Sequence, residues 1–260
     1  MNILDEIVAT KRLEIEAAKQ AKSVVAIEEE ARSLVQTRRP FRELFEKGPV
    51  LIAEIKPKSP SAGELIPQSP FDVAELYAKS EADVISVLTD EKYFGGSLGL
   101  LKSVRGLVPQ TVLRKEFIID PYQIYEAAIA GADCFLLIAA ILPRETLASF
   151  IQLGLSLGLD ALVEVHDEAD VEKALAARAQ VIGINNRDLR TLKIDLATTE
   201  HLITKIPRDI PVVSESGIET AEDVRRVRAA GARGILVGTS ILRSENPISQ
   251  IADLKRALHE

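Results

Sequence analysis

Charged and polar side chains occur at the ends of several short apolar runs, and their types would suit proton transfer. In chain order they are Glu54, Lys56, Lys115, Glu116, Glu164, Asn185, Arg187, Glu215 and Ser216. Side chains alternate along a strand, so Glu54 and Lys56 would point into the same space. Burial lowers the pKa of a lysine and nearby carboxylates raise it, so such a cluster could hold proton donors and acceptors together. The alternative is a set of ion pairs that only neutralise one another.

Two glycine-containing segments could bind an anion: residues 214–218 (Ser-Glu-Ser-Gly-Ile) and 236–240 (Leu-Val-Gly-Thr-Ser). Each places glycine and hydroxyl residues where an apolar run ends. Backbone N–H groups in such a turn can point at a phosphate, glycine permits its close approach, and hydroxyls add donors. One such segment is more often only a turn, but two of them at the last two apolar runs favour a phosphate pocket.

Other kinds of site have less support. The three histidines, His166, His201 and His259, lie far apart in the sequence, so no metal site is expected. His166 directly follows the fifth apolar run and is interpreted as a loop histidine rather than a catalytic one. Cys134 is the only cysteine, which excludes an internal disulfide and fits a reducing compartment. A lysine could form a Schiff base, so covalent aldol chemistry remains an alternative.

Eight short apolar runs are predicted to be β-strands, and a helical pattern follows each of them. They span residues 50–55, 83–88, 111–114, 133–138, 160–165, 180–184, 211–214 and 233–237. Several are apolar at successive positions, which is typical of parallel strands covered on both faces. Between them, Ser69, Asp120 and Thr220 have the surroundings of helix starts, and Gly131 has those of a helix end.

Eight strand-then-helix units fit either a closed barrel or an open, doubly wound sheet. An open sheet that binds a dinucleotide is expected to carry a G-x-G-x-x-G turn after an early strand, whereas residues 56–60 here read Lys-Pro-Lys-Ser-Pro. We therefore predict an α/β protein with one (β/α)8 TIM-barrel domain, residues 1–260. Residues 1–48 would form an N-terminal helical extension and residues 49–260 the barrel. The extension could plug the barrel floor or lie over the active-site mouth.

Composition and charge limit the partners. Hydrophobic residues make up 47% of the chain and charged residues 27%, a balance typical of a protein with a buried core. The formal net charge is −7 and the basic residues are scattered among acidic ones, so no nucleic-acid partner is expected. The apolar runs are shorter than a membrane span and the N-terminus lacks an apolar signal core, so we expect a cytoplasmic protein without a membrane partner. The oligomeric state is left open, with a monomer preferred.

The polar motifs resemble those of the indole-3-glycerol-phosphate synthase family. Residues 51–61, Leu-Ile-Ala-Glu-Ile-Lys-Pro-Lys-Ser-Pro-Ser, are similar to the first-strand motif of that family. Further similar segments follow in the family's order at residues 113–117, 120–123, 162–166, 184–189 and 214–218. The likeness also includes residues 3–8, so it covers nearly the whole chain.

This resemblance implies a reaction and a division of roles. The family condenses, decarboxylates and dehydrates 1-(2-carboxyphenylamino)-1-deoxyribulose 5-phosphate to indole-3-glycerol phosphate in tryptophan biosynthesis, as a carboxy-lyase without a cofactor. By the resemblance, Lys115 is the general acid that protonates the ketone oxygen, and Glu164 transfers a proton in the dehydration. Lys56 would be a second cationic donor, while Glu54 and Asn185 complete the polar cluster.

The resemblance also implies a binding site for a small phosphorylated substrate. Its phosphate would lie against residues of the two glycine-containing turns, Ser216, Gly217, Gly238 and Thr239. Apolar walls around the aromatic ring are assigned to Phe94, Phe117, Leu136 and Leu189, although Leu136 is also a plausible ordinary core residue. Arg187 would orient an anionic group of the substrate. Ser59 and Glu215 complete the predicted substrate-binding set.

One residue departs from the family pattern. The family usually has Asp directly after the general-acid lysine, whereas this chain has Glu116, which is one methylene longer. Alternation along the strand points Glu116 away from the barrel interior, so we expect altered packing behind the barrel and little effect on catalysis.

Two other functions stay open. Another phosphosugar barrel enzyme of the phosphoribosylanthranilate isomerase type would share the phosphate site, but it would not need two lysines beside Glu54 and Glu164. A barrel that only binds a phosphorylated ligand would have lost the polar cluster, which is complete here.

Overall fold

The computed structural model describes residues 3–34, 38–59, 63–64, 69–188 and 191–260. Eight parallel strands form a closed barrel in which β1 pairs with both β2 and β8. The strands are β1 (Val50–Ile55), β2 (Val84–Leu88), β3 (Thr111–Lys115), β4 (Cys134–Ile138), β5 (Asp160–Val165), β6 (Val181–Asn185), β7 (Val212–Glu215) and β8 (Gly234–Val237). The predicted TIM barrel is confirmed, and its closure removes the edges that an open sheet would expose.

Several strand boundaries differ by one residue from the predicted ones. Asp83 precedes β2, and its carboxylate accepts the backbone N–H of Leu51 at 2.7 Å. Asp133 likewise precedes β4 and accepts the backbone N–H of Val112 at 2.9 Å. At the carboxyl ends, parallel pairing continues one residue further than predicted in three strands, which end at Lys115, Asn185 and Glu215. Three residues of the predicted site therefore lie on the strands themselves.

The helices lie mainly outside the barrel. They are α1 (Ile3–Ala21), α2 (Val24–Ser33), α3 (Leu44–Lys47), α4 (Pro70–Ala78), α5 (Leu98–Leu107), α6 (Pro121–Ala130), α7 (Arg144–Ser156), α8 (Glu168–Ala176), α9 (Ala197–Leu202), α10 (Ala221–Ala230), α11 (Thr239–Arg243) and α12 (Pro247–His259). Capping boxes at Asp120 and Thr220 begin α6 and α10, and Gly131, with φ 87°, ends α6. No helix within the described ranges is long and apolar enough to cross a membrane.

Apolar side chains form two layers of core. One fills the barrel interior with residues such as Ile52, Leu113 and Cys134, and the other packs between strands and helices with residues such as Tyr77 and Phe135. Both faces of each strand are therefore buried. This double burial explains why the strands appear in the sequence as continuous apolar runs.

Different parts of the N-terminal extension occupy different places. Phe41 and Phe45 are buried at the amino ends of the strands, with ring centroids 5.7 Å apart, and they plug the barrel floor. Helix α1 packs instead beside the loops that follow β2 and β3. There Lys11 Nζ lies 2.8 Å from Asp90 Oδ2 and 3.3 Å from Glu116 Oε1. The extension thus closes the floor with one segment and contacts loops at the other end of the barrel with another.

Glu116 points away from the barrel interior, as strand alternation predicts. Its Oε2 accepts a hydrogen bond from the hydroxyl of Thr89 at 2.8 Å, and its Oε1 accepts the backbone N–H of Phe117 at 2.9 Å. The longer side chain therefore reaches the buried ammonium of Lys11 on α1. Its effect on catalysis stays a prediction.

Candidate active site

A charged layer lies inside the barrel at the carboxyl ends of the strands. Lys115 on β3 reaches two carboxylates, with its Nζ atom 2.8 Å from Glu164 Oε2 on β5 and 2.7 Å from Glu215 Oε2 on β7. Glu54 on β1 adds a third negative charge that acts on the same ammonium. In this fold one interior layer takes its side chains from alternate strands, and these four come from β1, β3, β5 and β7. Because these are alternate strands, their inward-facing side chains meet in one layer of the barrel interior.

Glu54 also pairs with the second lysine. Lys56 Nζ lies 2.7 Å from Glu54 Oε1, and both side chains are largely buried. A Cβ atom at position 238 would lie 2.9 Å from the same Oε1, which is closer than real Cβ contacts come. Gly238 therefore leaves room for the Glu54 carboxylate, beside any part it has in holding an anion.

The second oxygen of Glu164 is bounded by two further residues. Asn185 on β6 donates a hydrogen bond from Nδ2 to Oε1 at 3.2 Å. His166 Nε2 also lies 3.2 Å from Oε1. The Asn185 Oδ1 atom in turn accepts the backbone N–H of Arg187 at 3.0 Å, which fixes the amide orientation. Glu164 is thus held at both oxygens.

Burial and mutual charge move the pKa values of this cluster apart. Burial disfavours the charged form of Lys115, but the carboxylates of Glu164 and Glu215 outweigh it and hold the lysine pKa above its ordinary value. Burial likewise opposes ionisation of Glu164, yet Lys115 and His166 hold its pKa below the ordinary range. Burial raises the pKa of Glu215 to about 7, because the attraction of Lys115 offsets it only in part. Two carboxylates with separated pKa values beside one ammonium are suited to acid–base chemistry.

An aromatic wall stands beside this layer. The rings of Phe94 and Phe117 have centroids 5.9 Å apart and are inclined by 35°. Asp90 fixes the first of them, because its Oδ1 accepts the backbone N–H groups of Tyr93 at 2.6 Å and Phe94 at 3.1 Å. Leu136 is buried within the apolar layer of the barrel interior, against which Phe117 packs. The structure brings these three predicted residues to one side of the barrel.

The two glycine-containing turns meet at the ends of β7 and β8. Ser216 and Gly217 adopt left-handed backbone conformations, with φ of 67° and 81°. The side chain of Ser240, in the first turn of α11 after β8, donates a hydrogen bond to the backbone oxygen of Ile218 at 3.0 Å. This contact joins the two turns. Gly238 and Thr239 lie at the start of α11 directly after β8, so the four predicted phosphate-binding residues are adjacent.

Of the three remaining predicted binding residues, the structure describes one in full, one in part and one not at all. Arg187 Nη1 donates to the backbone oxygen of Leu192 at 3.3 Å, within its own loop. The backbone of Ser59 pairs with Gly63 in a short antiparallel ladder, Lys58–Ser59 with Gly63–Glu64, but its side chain lies outside what the structure describes. Leu189 falls outside the described residues altogether.

Two residues of the candidate site, His166 and Gly183, are not in the set predicted from the sequence. His166, interpreted as a loop histidine, is in contact with Glu164. Gly183 on β6 was not considered, yet a Cβ atom there would lie 2.0 Å from Glu215 Oε1. A glycine inside an apolar strand run often marks a close approach, and this was the signal available for Gly183. For His166 the signal was its position two residues after Glu164, on the same side of the strand.

One motif in the chain has the spacing of a serine nucleophile but a structural role. Residues 95–99 read Gly-Gly-Ser-Leu-Gly, which matches the G-x-S-x-G pattern. The Ser97 side chain caps α5 by accepting the backbone N–H of Leu100 at 3.0 Å. Across the described part of the chain, no three His, Cys, Asp or Glu side chains are grouped so that they could hold a metal ion.

Solved structures of other proteins have a similar fold. The chain is similar to 3-hexulose-6-phosphate synthase from Salmonella typhimurium, with a TM-score of 0.65, 18% sequence identity, and coverage of 80% of this chain and 98% of the other. It is also similar to tryptophan synthase subunit alpha from Legionella pneumophila str. Paris, with a TM-score of 0.59, 16% identity, and coverage of 84% and 95%. At such low identity these similarities concern the fold alone.

Similarity in sequence identifies the family of the chain. A family model described as indole-3-glycerol phosphate synthase matches residues 4–254. A protein of that name from Polaromonas naphthalenivorans (strain CJ2) is 45% identical over 258 residues, which cover 97% of this chain and 98% of the relative. Another of that name, from Caldanaerobacter subterraneus subsp. tengcongensis, is 45% identical over 247 residues, which cover 94% of each chain. The chain therefore belongs to the indole-3-glycerol phosphate synthase family.

Proposed function

We propose that this chain catalyses the reaction for which its family is named, at the charged layer inside the barrel. The substrate is 1-(2-carboxyphenylamino)-1-deoxyribulose 5-phosphate, which loses carbon dioxide and water as it closes to indole-3-glycerol phosphate. The chain is then a carboxy-lyase of tryptophan biosynthesis. The observation that carries this proposal is the ammonium of Lys115 held between the carboxylates of Glu164 and Glu215.

In the first step, the ring carbon that bears the substrate carboxylate attacks the ketone carbon. Negative charge then develops on the ketone oxygen. Lys115 is the group that donates a proton to this oxygen, since its carboxylate neighbours keep it protonated until substrate arrives. Carbon dioxide leaves from the same ring carbon, and the six-membered ring regains its aromaticity.

In the second step, a hydroxyl group leaves as water and the five-membered ring becomes aromatic. Glu164, which is ionised because Lys115 and His166 hold its pKa below the ordinary range, accepts the proton that is lost from the ring. Lys56, a second cationic donor that is paired with Glu54, supplies the proton with which the hydroxyl leaves as water. Asn185 orients Glu164 through its hydrogen bond to Oε1.

The substrate would span the barrel mouth between the aromatic wall and the glycine turns. Phe94, Phe117 and Leu136 supply apolar surface for the aromatic ring. The phosphate would lie against the turns after β7 and β8, which adjoin one another through Ser240. Glu215 has a buried Oε1 atom without a hydrogen-bond partner among the described residues, and it stays in the proposed binding set by resemblance. Ser59, Arg187 and Leu189 stay in the proposed binding set by resemblance alone.

The setting of the enzyme is also proposed. Residues 1–260 would act as one domain, with the floor plug and α1 belonging to the same unit as the barrel. We expect a cytoplasmic monomer that has no nucleic-acid partner, because the net charge of −7 disfavours binding to a phosphate backbone.

Lys115→Met provides the direct test. We expect the parent protein to convert the carboxyphenylamino substrate to a product with indole fluorescence. The variant should lose about 100-fold or more in kcat, the usual contribution of a general acid, with little change in substrate affinity. Lys102→Met, an exposed lysine on α5, is the matched control and should behave like the parent.

Two outcomes would contradict the proposal. If the parent gave no indole fluorescence but bound a phosphate ligand, the chain would be a binding protein instead. If Lys115→Met lost binding and turnover in equal measure, Lys115 would be a binding residue and not the general acid.

A further inference from the structure

His166 lies between the charged layer and the first turn of α8. Its Nε2 atom is 3.2 Å from Glu164 Oε1, and its Nδ1 atom is 3.6 Å from Asp170 Oδ2. The imidazole is largely buried, with 11% of its side chain exposed. The ring therefore lies at ion-pair distance from a carboxylate inside the barrel and from one on an outer helix, and neither ring nitrogen has a hydrogen-bond partner among the described residues.

Asp170 is itself held in place, so it can act as an anchor. Its Oδ2 accepts the backbone N–H of His166 at 3.2 Å, and Lys173 Nζ lies 3.5 Å from its Oδ1. The backbone N–H of Asp170 donates to the side chain of Asp167, which caps α8. The start of α8 thus determines where the carboxylate of Asp170 lies.

Glu164 depends on this side of the site for its orientation. Lys115 contacts Oε2, but that ammonium is shared with Glu215 and loses its charge when it donates a proton. Asn185 contacts Oε1 with a neutral amide. Two cationic groups contact Glu164 in the part of the chain that the structure describes, Lys115 and His166. Of these, His166 is the one that is not itself assigned to proton transfer.

We propose that His166, anchored by Asp170, is a positioning residue that orients the carboxylate of Glu164 and favours its ionised form. This inference rests on the proposed function, in which Glu164 transfers a proton. His166 does not need to touch the substrate for this role.

Charge supports the geometry. Burial lowers the pKa of His166, but Asp170 and Glu164 outweigh burial and raise it to about 9, so the imidazole is protonated near neutral pH. Charged groups on four further elements lie around His166 and Glu164, which is on β5. They are Glu54 on β1, Lys115 on β3, Glu215 on β7, and Asp170 and Lys173 on α8. Lys115 is the other cation in contact with Glu164, so removal of His166 leaves the carboxylate with half of its cationic partners.

A kinetic experiment tests the positioning role. In His166→Gln a neutral amide takes the place of the imidazole, so the positive charge beside Glu164 is lost. We expect kcat to fall about tenfold with KM changed less than about twofold, because the substrate contacts remain. The acidic limb of the kcat profile should move upward by about one pH unit, since an opposite charge nearby lowers a carboxyl pKa by at least that much.

The chain offers a matched control. His201 also pairs with a glutamate, at 2.8 Å from Glu168, but the pair is exposed on the outside of the barrel. His201→Gln should leave kcat, KM and the pH profile unchanged. An unmoved acidic limb in His166→Gln, or a KM that rises in proportion to the loss of kcat, would overturn the proposal.

A second measurement does not depend on activity. With three histidines in the chain, the imidazole resonances can be assigned by single His→Gln variants and followed by NMR. We expect His166 to titrate above the ordinary histidine range and Glu164→Gln to lower its pKa by about one unit or more. An unchanged titration of His166 would overturn the inference. Absence of synthase activity with this coupling intact would instead contradict the proposed function.

A further variant covers the case in which His166→Gln does not fold. Asp170→Asn keeps the imidazole but removes the carboxylate that anchors it. We expect kcat to fall less than in His166→Gln, with the acidic limb moved in the same direction. A profile identical to that of the parent would count against the anchoring role of Asp170.

Discussion

At the scale of single residues, the site depends on the absence of a side chain at Gly183 as much as on the charged residues around it. The carboxylate of Glu215 reaches Lys115 by lying over Gly183 of the neighbouring strand. Any Cβ atom at position 183 would occupy the space of Glu215 Oε1. A glycine in the interior of a strand weakens the strand, and here the missing side chain leaves room for the contact between Glu215 and Lys115.

Gly183→Ala should therefore displace Glu215 from Lys115. We expect kcat to fall at least about tenfold, and overpacking to cost about 1–3 kcal/mol of unfolding free energy. Indole fluorescence assays and urea titrations measure the two effects.

Gly106→Ala is the control for this substitution. An added Cβ at position 106 meets nothing within 4 Å, and the residue lies in α5. The change should leave kcat unaltered and could add about 1 kcal/mol of stability through helix propensity. Equal activity of the two alanine variants would show that Glu215 does not need the space over Gly183.

At the scale of elements, α1 connects two active-site loops through a buried ammonium. Lys11 contacts Asp90, whose other oxygen holds the backbone of the Phe94 loop, and it contacts Glu116, which holds the backbone of Phe117. Burial opposes the charge of Lys11, but Glu116, Asp90 and Glu14 outweigh it and raise its pKa. One lysine of the extension thus contacts the two carboxylates that bind the backbone at Phe94 and Phe117, the rings of the aromatic wall.

Lys11→Met should remove the ammonium that lies between the buried carboxylates of Asp90 and Glu116, of which Glu116 keeps Arg114 Nη2 at 3.8 Å from its Oε2. We expect a loss of about 3–5 kcal/mol of unfolding free energy, the usual cost of removing one partner of a buried pair. The loops that carry Phe94 and Phe117 should loosen, so KM should rise more than kcat falls. Urea titration and steady-state kinetics provide both values.

Lys19→Met is the matched control on the same helix. Lys19 pairs with Asp120 at 2.7 Å, but both side chains are about a quarter exposed. Its loss should cost no more than about 1 kcal/mol and leave KM unchanged. A KM for Lys11→Met equal to that of the parent would contradict the link between α1 and the aromatic wall.

At the scale of the whole molecule, the charged layer makes stability depend on pH. Burial raises the pKa of Glu215 from 4.5 in the unfolded chain to about 7. A carboxyl group with a raised pKa stabilises the fold fully below its unfolded pKa, and this contribution is lost as the pH rises through the folded pKa. The stabilising contribution of Glu215 therefore declines between pH 4.5 and about pH 7.

We expect the unfolding free energy of the parent to contain a contribution that declines across this window and that Glu215→Gln lacks. Urea titrations at several pH values measure it as the difference between the two proteins. Glu200→Gln, an exposed residue on α9 paired with Arg226, should follow the parent. Parallel pH profiles for the parent and Glu215→Gln would contradict the assignment.

Much of this molecule is already specified along the chain. Local patterns predicted eight strands, the capping residues Asp120 and Thr220, and the polar residues at the strand ends, because backbone periodicity and turn chemistry depend on near neighbours. Family resemblance added the roles of Lys115 and Glu164. The sequence also predicted that Glu116 faces outward, since alternation along a strand is a local property.

Tertiary structure alone decided which distant residues touch. The contact of Lys115 with Glu215 spans 100 positions, and the space that it needs is provided by Gly183 on another strand. The same holds for Lys11 with Asp90 and for the two places occupied by the N-terminal extension. Barrel closure and register set these distances, and both arise from the packing of all eight strands together, which no local pattern encodes.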